Sequence, residues 1–165
     1  MSVAVDIARS YLSPQSVVLR RASGPVSEPR ALVVLMAGCL LMFAAQWPLA
    51  ARDAYLDPTI PIEDRLTGAL FGWLMLAPLF FYVLAMIVRL ISHLLGGRAS
   101  GFEGRMALFW AVLAASPLWL LTGLVGGFIG RGPAFTGTGL LAVASFFAIW
   151  AAGVWAVERP RGQGA

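Results

Sequence analysis

The chain has 165 residues, 59% of them hydrophobic and only 12% charged, with a formal net charge of +4. Soluble domains carry roughly a quarter charged residues, so this composition excludes an ordinary soluble protein and places the chain in the membrane class. One cysteine and one histidine exclude an internal disulfide and the usual zinc or haem ligand spacings.

Residues 1 to 30 hold Asp6, Arg9, Arg20, Arg21, Glu28 and Arg30 with no apolar core between them. They do not read as a secretory signal peptide, and the first span is expected to act as the targeting signal. In "YLSPQSVVLRR", Ser13 can cap a helix whose first residue is Pro14. Val17, Val18 and Leu19 then precede Arg20 and Arg21. One reading is a short interfacial helix on the inner membrane surface, its arginines facing anionic headgroups. The other is a solvated linker.

A helix crossing the hydrocarbon needs about 20 mostly apolar residues, and four runs qualify. They cover about 31–51, 66–93, 106–129 and 139–157, the charge-free core of the second ending near Val88. Backbone groups in lipid must be satisfied within the segment, so each is expected to be an α-helix. The predicted architecture is an all-α integral membrane bundle of four transmembrane helices over 31–157. A cytoplasmic N-terminal segment, 1–30, precedes it and a cytoplasmic tail, 158–165, follows. Pro61 with Glu63 and Asp64 predicts that the second helix starts in the interface. Gly96 and Gly97 end it through a left-handed cap, and Pro133 and Gly137 separate the third span from the fourth.

Arginine supplies all 12 basic residues, a composition that fits a GC-rich, bacterial coding genome. Arg9, Arg20, Arg21, Arg30, Arg89, Arg98, Arg105, Arg159 and Arg161 flank one side of the spans, whereas Arg52, Arg65 and Arg131 flank the other. The positive-inside rule then places both termini in the cytoplasm, which for a bacterium predicts an inner-membrane, multi-pass protein. Trp47, Trp73, Trp119 and Trp155 are positioned as interface anchors, and Trp110 opens the third span near the cytoplasmic side.

The candidate sites are few. Arg89 and His93 are four residues apart, on one face of the second helix. With Arg98 and Arg105, and with Arg20 and Arg21, they form a candidate cationic surface for an anionic headgroup or a partner's acidic patch. Alternatively, Arg89 snorkels to the interface and His93 is a plain interfacial residue. Glu103 sits at the start of the third helix, where a carboxylate favours the helix dipole and can pin the loop. "GGRASG" lacks the Gly-Lys-Ser/Thr ending of a phosphate-binding loop.

Small residues recur at spacings that allow close helix approach: Gly68 and Gly72, Gly123 and Gly127, Gly126 and Gly130, then Ala144, Ala148 and Ala152. They serve either self-association or packing within one chain. Pro78 and Pro117 predict kinks deep in the second and third spans. No span core carries an Asp, Glu, Lys, Arg or His, which argues against proton relays, ion-coupled carriers and intramembrane hydrolysis. No catalytic residue, metal or cofactor is expected, and no nucleic-acid partner.

The stretch "GGRASGFEGRMALFWAVLAASPLWLL" resembles the Gly-Gly loop and the aromatic, proline-bearing helix of the Yip family of small polytopic membrane proteins. "SPQSVVLRR" is similar to that family's cytoplasmic lead-in, and the likeness, closest to short alphaproteobacterial members, runs over about residues 10 to 157. It implies a helical bundle with a cytoplasmic N-terminus. Eukaryotic relatives bind Rab-type GTPases in vesicle traffic, a pathway bacteria lack, and the family's usual five spans exceed the four counted here. The expected function is therefore a non-enzymatic, Yip-like protein that organises membrane lipids or partner proteins. An accessory subunit of a respiratory or photosynthetic complex is the alternative, and a small carrier or channel the third.

Overall fold

The computed structural model describes residues 2–24, 26–94, 96–97 and 99–158. Among them are six helices and no strand: α1 (Val3–Ser10), α2 (Pro14–Ala22), α3 (Glu28–Leu56), α4 (Ile62–Leu94), α5 (Gly101–Phe128) and α6 (Pro133–Glu158). The last four are each long and apolar enough to cross a membrane. The chain is an all-α, multi-pass membrane bundle. Residues 159–165, with Arg159 and Arg161, lie outside the described residues, as does Arg98.

Local chemistry ends each helix. Pro29 stands in the first turn of α3 and Pro133 opens α6, positions where a missing N–H costs nothing. The α4 helix begins one residue after Pro61, with Glu63 and Asp64 in its first turn. At its other end Gly96 adopts φ +80°. Its N–H donates to the His93 carbonyl at 3.1 Å, and Gly97 N–H donates to the Ser92 carbonyl at 2.8 Å. These two bonds form a Schellman motif, which needs a residue without a Cβ at the left-handed position. Ser100 and Glu103 then form a reciprocal capping box at the start of α5, with Glu103 N–H donating to Ser100 Oγ at 3.2 Å and Ser100 N–H to Glu103 Oε2 at 2.8 Å.

The helices play unequal parts. α5 forms the axis, and every residue from Met106 to Ser116 is buried. It has α3 on one flank and α6 on the other. Of its most apolar window 61% is buried, against 6% for α4, in which Ala85 alone is buried among the described residues. The second span is thus mounted on the outside of a three-helix core. It is held to α3 along its first half and to α5 by the edge contact of Tyr82 on Phe109, 4.9 Å between ring centres, with Ala85 packed against the core.

The α3–α5 seam is made by absent side chains. A Cβ on Gly123 would lie 1.9 Å from the Ala45 carbonyl oxygen, and one on Gly127 would lie 2.5 Å from Pro48 Cβ. From the other side, a Cβ on Gly38 would meet Leu113 N at 3.2 Å. With lipid as solvent, association of apolar helices relies on such close dispersion contact instead of a hydrophobic drive. The spacing of Gly123 and Gly127 therefore serves packing within the chain.

Other small-residue positions behave differently. Gly126 meets Phe135 of α6 and Leu49 of α3, and Gly130, at φ +101°, ends α5 beside Arg52. Cβ atoms on Gly68 and Gly72 would enter open space. The stripe expected at Ala144, Ala148 and Ala152 requires correction. Ala144 and Ala148 are exposed and Ala152 is half-buried, while Ala142, Ile149, Gly153 and Ala156 form the packed face. The reason is α2, whose Val18 sits against Gly153 at 3.2 Å from where a Cβ would be.

Proline effects are also local. Just before Pro78, residues Gly72–Leu76 form a π-helical turn, and Ala77 N–H bonds the Gly72 carbonyl five residues back. Pro78 can neither donate to the carbonyl four residues earlier nor tolerate it closely, and the wider turn absorbs that conflict. Pro48 lies inside α3 and Pro117 inside α5 without ending either helix.

Gly123→Val forces the Ala45 backbone away and should destabilise the bundle by about 2–3 kcal/mol, the scale of an overpacked core. Gly68→Val, in open space, should change the melting temperature in mild detergent little. Thermal unfolding of the two variants side by side checks this.

Candidate functional site

At the end of the bundle where α6 finishes, here the basic end, α1 and α2 form a helical hairpin docked lengthwise. Tyr11 Oη, at its turn, donates to the Ala114 carbonyl at 2.8 Å. Ala114 lies far along α5, about 20 Å from the helix start at 1.5 Å per residue. Val17 and Val18 are fully buried, with Val18 seated in the notch left by Gly153 beside Ala107. The expected helix at Pro14 is present, but it stands along α5 and α6 beside α1, rather than lying alone across a surface.

A polar cluster holds the hairpin shut. Arg20 and Arg21 both bond the carboxylate of Asp6, which is 1% exposed, and Arg21 Nε reaches Asp6 Oδ2 at 3.0 Å. The Arg21 guanidinium also lies 4.7 Å from the ring centre of Trp110, within cation–π range. Trp110 Nε1 donates to Ser10 Oγ at 2.9 Å, and Ser10 Oγ donates to the Asp6 carbonyl at 2.8 Å. Burial raises the pKa of Asp6, but hydrogen bonds from Arg21 and Arg20, with their charges, outweigh it and hold the carboxyl below its ordinary 3.8. Both arginines thus serve an internal partner, Arg21 with its side chain 20% exposed and Arg20 with 44%.

Arg89 and Arg105 are brought together elsewhere. They line a cavity of about 400 Å³ between α4 and α5, with Tyr82, Val83, Ala85 and Met86 as its apolar wall. Arg105 bonds Glu28 through Nη2, while its Nε is buried with no partner among the described residues. No ion pair joins Arg89 to a described carboxylate. Its guanidinium rests over Gly101, where a Cβ would stand 2.0 Å from Nη1. His93 is exposed in the last turn of α4 and does not line the cavity. The six-residue basic cluster therefore divides into a structural pair, a cavity pair, a solvent-facing His93, and Arg98 outside the described residues.

On the other flank of α4 runs an apolar groove of about 380 Å³. Trp73, Phe80 and Phe81 of α4 face Phe146, Phe147 and Trp150 of α6, with Trp119, Val112 and Met42 as the floor. The aromatic rings expected at interfaces thus divide by role. Trp47 and Trp155 are exposed, Trp73 and Trp119 line this groove, and Trp110 is fully buried.

At the opposite end of the bundle each arginine has a bonded partner. Arg131 grips Asp53 with two bonds of 2.8 and 2.6 Å. Arg52 donates to the carbonyls of Gly127 and Phe128 at the finish of α5, where a cation suits the helix dipole. Arg65 pairs with Asp57 at 3.6 Å. Three arginines there meet four carboxylates, Asp53, Asp57, Glu63 and Asp64. Positive charge without a matching acid is concentrated at the basic end.

Several working residues escaped the sequence reading. Glu158 accepts from Ser92 Oγ and, at 3.2 Å, from Ala99 N–H, tying the end of α6 to the loop before α5. The capping box was legible as Ser-x-x-Glu at Ser100 and Glu103. α1 was legible only as Ser2 before a short amphipathic run. No family model, curated protein or solved structure matches the chain.

Because the folded pKa of Asp6 is depressed, its pairing stabilises the hairpin above pH 3.8 and is lost as pH falls through the lower folded value. Asp6→Asn should remove about 2 kcal/mol, the scale of charged hydrogen bonds, and raise amide exchange across 3–22 at neutral pH. Acid should loosen the native hairpin and have little further effect on the variant. Hydrogen-exchange mass spectrometry at two pH values checks both.

Proposed function

We propose that this chain is a non-enzymatic, Yip-like protein of a bacterial inner membrane that organises lipids or partner proteins. Both termini would face the cytoplasm, in keeping with the arginine bias along the chain. The observation that carries the reading is the position of α4. One complete span, with Ala85 its only buried residue among those described, stands outside the core. It leaves an aromatic groove on one flank and an arginine-lined cavity on the other. Such surfaces suit the reception of other membrane molecules. The span cores carry no Asp, Glu, Lys, Arg or His, which favours binding over ion-coupled transport.

The same exposed face supports a second reading, an accessory subunit of a respiratory or photosynthetic complex. Leu79, Phe80, Met86 and Leu90 of α4 would then pack on a neighbouring subunit. Native gels discriminate the two, because an accessory subunit migrates in constant ratio with its complex. For the organiser, purification in mild detergent after cross-linking should recover a partner protein or tightly held lipid. Recovery of neither would overturn the proposal, and selective solute flux in liposomes would replace it with a carrier.

A further inference from the structure

We infer that the cavity between Arg89 and Arg105 binds the phosphodiester of a singly charged anionic glycerophospholipid, with an acyl chain laid along Tyr82, Val83 and Met86. This rests on the lipid-organising reading above and names the ligand class. Charge is the first argument. Two guanidinium groups line the cavity, and Glu28 pairs with Arg105. Glu158, in a neighbouring cleft with Arg89, accepts from Ser92 and Ala99, leaving the Arg89 guanidinium without an ion pair among the described residues. A single phosphodiester anion balances it. At the opposite end a smaller cavity of about 180 Å³ is also lined by two arginines, Arg65 and Arg131, but both are paired there, with Asp57 and Asp53.

Hydrogen-bonding capacity is the second argument. Arg89 has a whole donor fork with no ion pair among the described residues, and Arg105, bonded to Glu28 through Nη2, keeps 24% of its side chain exposed. Guanidinium groups bind phosphate oxygens through paired, charge-assisted bonds. Position is the third. Arg89 lies little more than one turn before the end of α4 and Arg105 one turn after the start of α5, the level at which headgroups meet hydrocarbon. Below them the wall is apolar and belongs to the most exposed span. A free phosphate would gain nothing from that wall, whereas an acyl chain would.

Gly101 is part of the design. It has no side chain where the Arg89 guanidinium rests, so Gly101→Ala displaces a flexible arginine tip while leaving every charge and the backbone in place. Glu28→Gln acts in the reverse sense by freeing the Arg105 guanidinium.

The experiment uses the full chain in mild detergent, read by native mass spectrometry against phosphatidylglycerol, phosphatidylcholine and inorganic phosphate. One phosphatidylglycerol should be retained per chain, at least about tenfold more tightly than phosphatidylcholine, with no retention of inorganic phosphate. Arg89→Gln, Arg105→Gln and Gly101→Ala should each weaken it by roughly tenfold, the worth of one good charged hydrogen bond. Glu28→Gln should strengthen it, a gain that misfolding cannot imitate, and Arg65→Gln at the opposite end should match the parent. Equal retention by the parent and by the Arg89→Gln/Arg105→Gln pair would overturn this site while leaving a lipid-organising role intact. Equal retention of both lipids, or of inorganic phosphate alone, would overturn the ligand class. Absence of any lipid together with absence of a cross-linked partner would overturn the broader reading as well.

Discussion

Everything else in this molecule is arranged around the approach of α3 to α5. Lipid supplies little drive for two apolar helices to leave it and pair, so the bundle depends on contact distance, and contact distance depends on Gly38, Gly123 and Gly127. With α3 drawn in, α5 becomes a buried axis, and α6 closes the remaining side with Gly153 turned toward α2. The tight core uses three spans. The fourth is left outside it, and the surfaces that can receive other molecules flank that span.

The two pairs of arginines show how identical side chains part company by context. Arg20 and Arg21 find Asp6 and Trp110 within the fold, so their charge is consumed in closing a hairpin. Arg105 pairs with the exposed Glu28, and Arg89, in the same cavity, has no ion pair among the described residues. Spacing along the chain does not reveal this difference, because Asp6 lies more than a dozen residues from its partners and only the α1–α2 turn brings it there.

Legibility followed the range of the interactions. The four spans, their helical state, the Pro61 start and the Gly96 cap depend on neighbouring residues and on lipid as solvent, and all could be read directly. The glycine pair at Gly123 and Gly127 was readable as a close-approach surface, but its partner, Ala45 and Pro48, was not. The alanine spacing in α6 misled for the same reason. Periodicity identifies a face, and only the arrival of Val18 from α2 decides which face is buried. The cavity of Arg89 and Arg105 needs α4, α5 and Glu28 of α3 at once, and no local pattern reports a three-body arrangement.

The π-helical turn at Gly72–Leu76 sets the angular phase of all that follows it in α4. One surplus residue in a helix rotates the downstream part by about 100° relative to an uninterrupted one. Phe81 and Arg89 both lie downstream, and they face the groove and the cavity on opposite flanks. Restoring a regular pitch by deleting one residue there would swing both away together. The conflict between Pro78 and its preceding carbonyl thus works as an alignment device, fixing which way a lightly held span presents its two sides.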